Sequence, residues 1–283
     1  MINVGGKMKI HSPIYKDNKY YQIAKDRSVI TRKKFGIEDG PITGPIFQFL
    51  EEMDCFVVTF DLGRTAATGM YLRKKAENDV KLVLIHNKRV KGQQNFTAAH
   101  ELSHVLFDKD ELIDICYPDN IKTRDEKEIL ADHFAAHFLM PEESIINDCQ
   151  GLENITKLDI IKLCVKYKVS FQSMALRLYI LGLIGKEEYE HYQNQSKKGK
   201  LRLRAVCEEH GLDNSTFCVP EEAYISEEFF NLLYKSYHKA NISRSVLIKH
   251  YLKPLEEALK LDIEKYIKIA DENYPDELGW DEI

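Results

Sequence analysis

No two cysteines in this sequence are spaced C-x-x-C, and the six that occur (Cys55, Cys116, Cys149, Cys164, Cys207 and Cys218) are scattered along the chain. A cysteine-based zinc site is therefore not expected. Free, mostly buried thiols in a reducing compartment are the expectation, and any metal must rely on histidine and carboxylate. No apolar run approaches the roughly 20 residues of a membrane-spanning helix, and the first residues lack the apolar core of a signal peptide. The expected location is cytoplasmic. A strong charge of either sign is also missing. The formal net charge is -5, which argues against wholesale coating of nucleic acid but leaves room for a local basic patch. What remains is a globular composition, 44% hydrophobic and 30% charged, in 283 residues. That length holds one sizeable core with a smaller module, or two to three small units.

One stretch organises the rest. Phe96-Thr97-Ala98-Ala99-His100-Glu101-Leu102-Ser103-His104-Val105-Leu106-Phe107 contains H-E-x-x-H inside an apolar segment. On a helix His100 and His104 lie one turn apart on one face, so both imidazoles can reach a single metal ion. Glu101 sits beside them, where a carboxylate can take a proton from an activated water. Asn95 or Thr97 is the expected N-cap, after a loop from Lys88 to Gln94.

A catalytic zinc site needs a third protein ligand. The second strong helical pattern, from about Asp125 to Leu139 and stopped by Pro141, supplies candidates. Glu128, Ala131, Asp132 and Ala135 share one stripe. The small alanines permit close approach to the first helix, which would aim Glu128 at the metal. Asp132, one turn on, is placed to hydrogen-bond the outer nitrogen of a liganding histidine. His133 and His137 are rival third ligands on a different stripe.

The flanking sequence is read as follows. Residues 1 to about 40 form a locally basic N-terminal arm with a solvated face. Ile46 to Met53 suits a short helix. Cys55 to Phe60, Met70 to Arg73 and Val80 to His86 are strand-like, the last apolar enough to be interior. A polar, turn-rich connection spans Asp108 to Arg124. After Asn154 come two helices joined at Val169-Ser170, a pattern like a helix-turn-helix unit closed by Gly182. It offers either DNA or repressor contact through Gln172, Ser173 and Arg177, or a hairpin packed on the core. The basic run Lys197 to Arg204 is read as a solvated linker rather than a binding patch. Helices at about Glu222 to Lys239, Ser243 to Leu252 and Leu255 to Ile269 follow, with an acidic tail that carries Trp280.

Asn95 to Phe107 (N-F-T-A-A-H-E-L-S-H-V-L-F) together with Glu128 to Pro141 (E-x-x-A-D-x-F-A-A-x-x-L-M-P) resembles the ImmA/IrrE family of metallopeptidases. The likeness extends loosely from Pro41 to Ile184. Many members carry a further Glu just before the Ala of the second block, where this chain has Leu130. The resemblance implies zinc as cofactor, His100, His104 and Glu128 as its ligands, and Glu101 as the catalytic glutamate. It also implies a regulatory hydrolase of narrow specificity, whose substrate and partner is a helix-turn-helix repressor and whose cut derepresses mobile-element or stress-response genes. The fold class expected is α+β: a zincin-like metallopeptidase core (small sheet plus the H-E-x-x-H helix) at 41–150, an N-terminal basic arm at 1–40, a helix-turn-helix-like unit at 151–200 with possible weak DNA contact, and a helical C-terminal region with an acidic tail at 201–283. The alternative is a DNA-binding or toxin/antitoxin-type regulator on an inert peptidase scaffold.

Overall fold

The computed structural model describes residues 19–62, 68–74, 80–108, 113–116 and 126–232. It is a helix-rich α+β fold with one small sheet. The chain forms two compact units: Met1–Ile46 with Val90–Asp108 and Asn120–Cys218, and Phe47–Arg89 with Lys109–Asp119 and Val219–Ile283. They interleave along the sequence. The first part of the expected arm, the helices expected beyond 232, and the acidic tail with Trp280 lie outside the described residues. No helix among those described is long and apolar enough to cross a membrane.

The second unit is built on the sheet. Helix α2 (Phe47–Glu51) leads into β1 (Cys55–Phe60), β2 (Gly69–Lys74), β3 (Val80–His86) and β4 (Ile113–Cys116). The strand order is β1-β3-β2-β4, with β1 parallel to β3 and the other pairs antiparallel. The central place of β3 agrees with its apolar run, and Val83 and Ile85 are fully buried. Strand β4 falls inside the connection expected to be turn-rich; at four residues it is too short for alternation to stand out from the polar sequence around it. The free edge of β1 is covered. Thr59 N–H donates to Tyr224 O and Ser226 N–H to Val57 O, while the Ser226 hydroxyl accepts from Val57 N–H at 3.1 Å. This extended segment occupies the start of the helix expected from Glu222, and helix begins only at 227.

The first unit is helical: α1 (Lys19–Lys34), α3 (Lys91–Phe107), α4 (Glu126–Leu139), α5 (Glu142–Asp148), α6 (Lys157–Tyr167), α7 (Phe171–Ile180), α8 (Lys186–Lys197) and α9 (Leu203–Glu209). Part of the expected basic arm is thus helix α1. It packs on α4 through buried Tyr21, Ala24, Ser28 and Thr31, while Lys19, Lys33 and Lys34 are exposed and Arg32 is buried. Helix α3 begins earlier than its polar residues indicated. Val90 is the N-cap, with no side-chain cap, and the exposed end of the helix is served instead by Cys218 O, which accepts from Lys91 N–H. Asn95, one of the two expected caps, is buried, and its Nδ2 donates to Lys168 O at 2.8 Å.

That contact gives the α6–α7 pair its structural role. Thr156 and Asp159 form a capping box at the start of α6, Lys168 closes it in the left-handed region, and Ser170 caps α7 by accepting from Ser173 N–H. The turn between the two helices lies against the first turn of α3. A Cβ built on Gly92 would come within 2.6 Å of Val169 C and 2.7 Å of Ser170 N. The residues nominated for DNA are engaged within the unit. Gln172 Nε2 donates to Ser196 Oγ, and the Ser173 hydroxyl is 2.8 Å from that of Ser170. Arg177 is only 2% exposed; it donates from Nε to Met140 O, from Nη1 to Tyr21 OH and from Nη2 to His137 Nδ1. Reading Arg177 as a phosphate contact is corrected: an amphipathic helix pair has the same pattern whether its arginine faces out or in, and this one faces in.

The basic run spans the end of α8 and the start of α9. It is an ordered turn in which Lys200 N–H closes on Gln195 O, with Leu201 buried between exposed cations.

Two substitutions test this framework. Gly92→Ala forces the α6–α7 turn away from α3 and is expected to destabilise the chain by about 1–3 kcal/mol, read as a lower urea midpoint. Arg177→Ala leaves Met140 O and His137 Nδ1 without their buried donor and is expected to cost at least about 2 kcal/mol. An unchanged melting temperature in either variant contradicts the packing described.

Candidate metal centre

The site assembles on α3 and α4, which pack on each other in the first unit. Both helices present fully buried small residues, Ala98 and Ala99 on α3 and Ala131 and Ala135 on α4, so their axes can approach closely. His100, Glu101 and His104 are buried on α3 to within 1% exposure. The Nε2 atoms of the two histidines face each other at 3.1 Å. The Glu128 carboxylate, in the first turn of α4, places Oε2 at 3.5 Å from His100 Nε2 and Oε1 at 3.3 Å from His104 Nε2. Among the described residues these three side chains are the group that could hold a metal ion.

Donor spacing tests the fit. With metal–donor bonds of about 2.0–2.1 Å, two donors on a tetrahedral zinc sit roughly 3.3 Å apart. The spacings here bracket that value. The outer ring nitrogens agree with it: His100 Nδ1 lies 2.9 Å from Asp132 Oδ1, and His104 Nδ1 lies 2.8 Å from Asp108 Oδ2. A carboxylate at Nδ1 holds the proton there, which turns the Nε2 lone pair of each ring toward the shared centre. The residues present therefore fit a zinc ion.

Charge points the same way. For His104, burial is the largest single effect and pushes the pKa down. Hydrogen bonds to Asp108 and then Glu128 outweigh it, and with the charge of Glu101 they hold the imidazolium up at about 10. Glu128 is opposed by burial, yet its contacts with His100 and His104 hold it well below the usual carboxylate range. Without a metal ion the centre is thus an ion-paired cluster that keeps a proton a metal would displace.

The rival third ligands lie elsewhere. His137 accepts from Arg177 and packs against the Tyr21 ring at 4.5 Å between centroids; His133 also meets that ring edge-on, at 5.7 Å. Asp132 stands where its helical stripe put it. Asp108 was missed as a partner of the site. Its signal was in the sequence, an aspartate one turn beyond His104 and so on the same helix face, but it read as the first residue of a loop.

A helix with two histidines and a glutamate, facing a second helix that offers a carboxylate, is an arrangement that could hold a metal ion. Residues 50–179 match the peptidase family described as the IrrE N-terminal-like domain. No curated protein matches the chain. Among solved structures, a Mycobacterium tuberculosis transcriptional regulator is similar over 58% of this chain, at 21% identity and a TM-score of 0.40; the matched part is 48% of that regulator.

The pH dependence of metal uptake follows from His104. Its pKa of about 10 stands above its ordinary 6.5, so the imidazolium stabilises the metal-stripped fold fully below about pH 6.5, and that contribution is lost as the pH rises through 10. Zinc competes with the same proton. Apparent zinc affinity should climb between pH 6.5 and 10, and uptake at pH 7 should release a proton, measured by calorimetric titration in buffers of different ionisation enthalpy. A pH-independent affinity contradicts the cluster.

Proposed function

We propose that the chain is a zinc-dependent endopeptidase of narrow specificity, with His100, His104 and Glu128 holding the metal and Glu101 acting as general base. The observation that carries this reading is the convergence of both Nε2 atoms with the Glu128 carboxylate, next to a buried glutamate, in a domain of a peptidase family. The finer fold reading goes with it: α3 and α4 are the two helices of a zincin-like core. The α6–α7 pair is then a helix-turn-helix-like unit turned to structural use.

A zinc ion in this centre supplies a Lewis acid that acidifies water to a pKa of roughly 7 and polarises the scissile carbonyl. The chain's own residues do the rest. Glu101 takes the proton released by the attacking water and passes it to the leaving amine. Asp132 holds the His100 ring through Nδ1, and Glu128 is the ligand brought by the second helix.

The substrate class comes from the family likeness: a helix-turn-helix transcriptional repressor whose cleavage derepresses mobile-element or stress-response genes. A cytoplasmic regulator fits the scattered free cysteines, of which Cys55, Cys149, Cys164 and Cys207 are buried and Cys218 is half-buried. Glu101→Gln separates chemistry from binding. The variant should keep near-stoichiometric zinc by metal analysis and lose at least about 100-fold in cleavage rate when co-expressed with a candidate helix-turn-helix repressor. Unchanged cleavage with zinc retained removes Glu101 as the base, and no zinc in the unchanged chain removes the site.

A further inference from the structure

Both histidines of the centre have a carboxylate on Nδ1, but the two carboxylates arrive by different routes. Asp132 reaches His100 from α4, across the helix–helix interface. Asp108 reaches His104 from the end of the histidine's own helix. Asp108 is held twice: its backbone N–H donates to His104 O at 2.9 Å, and its side chain accepts from His104 Nδ1–H at 2.8 Å. The Asp108 side chain is 12% exposed and that of Asp132 is 32% exposed, so the local pair is the drier of the two.

From this geometry we infer that Asp108 is a positioning residue for His104, beyond the ligand set and Asp132. It fixes the Nδ1–H tautomer and the ring plane, so that Nε2 is aimed before α4 docks. His100, by contrast, takes its final orientation only when α4 brings Asp132 with Glu128. One ligand is preset by the end of α3, and the other two are set by the helix–helix contact. The carboxylate rather than the backbone of Asp108 is the working group, because its backbone bond to His104 O is open to any residue.

The inference rests on the metal reading above, and its test is zinc binding by the full chain together with the histidine signals in long-range proton–nitrogen spectra of the zinc-loaded protein. Asp108→Ala should weaken zinc affinity by about 10–100-fold, and Asp108→Asn, whose amide oxygen still accepts from Nδ1–H, should lose less. In the unchanged protein His104 should show a protected Nδ1 proton. That signal should vanish in the Ala variant and shift in the Asn variant, while the His100 signal stays in place. A role confined to stability would lower the melting temperature without changing the exchange protection or the shift of the His104 Nδ1 proton. Zinc affinity unchanged in Asp108→Ala, with the His104 signal unmoved, overturns the inference. If the Ala variant does not fold, an unmoved His104 signal in Asp108→Asn overturns it equally. Failure of the unchanged chain to take up zinc would instead remove the metal reading itself, and this inference with it.

Discussion

The close approach of α3 and α4 is the constraint on which the rest of the first unit depends. A carboxylate side chain is short, and Glu128 meets both Nε2 atoms at 3.3–3.5 Å only because the helix backbones come near each other. Alanines on each helix permit that approach. Other contacts hold the pair in place. Helix α1 packs along α4. Arg32 donates to Phe138 O and Arg177 to Met140 O, so two buried guanidinium groups from different helices hold the negative, carbonyl-rich end of α4. The opposite end of the same helix carries Glu128, with Asp132 one turn on. The helix is fastened at the end away from the chemistry.

Charge explains why the centre suits a divalent cation. Glu101, Glu128, Asp108 and Asp132 surround His100 and His104, and most of this cluster is out of water. Buried carboxylates are costly unless paired or bound to a metal. The His104 imidazolium balances only part of that charge. A single dication between the two Nε2 atoms and the Glu128 carboxylate balances more of it.

The centre was the most legible part of the sequence because its signals are local. H-E-x-x-H fixes three residues on one helix, and the helical stripe Glu128, Ala131, Asp132, Ala135 fixes the face of the next; both arrangements follow from the 3.6-residue period alone. Strand positions were legible for the same reason, as short apolar runs. What was not legible depended on distant backbone. The N-terminal end of α3 has no capping side chain because Cys218, far along the chain, supplies the acceptor. Asn95 read as a cap but is committed to Lys168 O. Strand β4 exists through pairing with β2, which no local pattern encodes.

The α6–α7 pair shows how one pattern can leave two destinations open. Its capping residues, its turn and its apolar spacing were all visible, yet none of them says which face meets what. The structure answers through two backbone contacts. Gly92 lets the turn at Val169 and Ser170 sit directly on α3, and Asn95 ties the turn's carbonyl one helical turn further on. His100 lies five residues beyond Asn95 on the same rigid helix. A turn of this kind is therefore a fixed support for the helix that carries His100, Glu101 and His104.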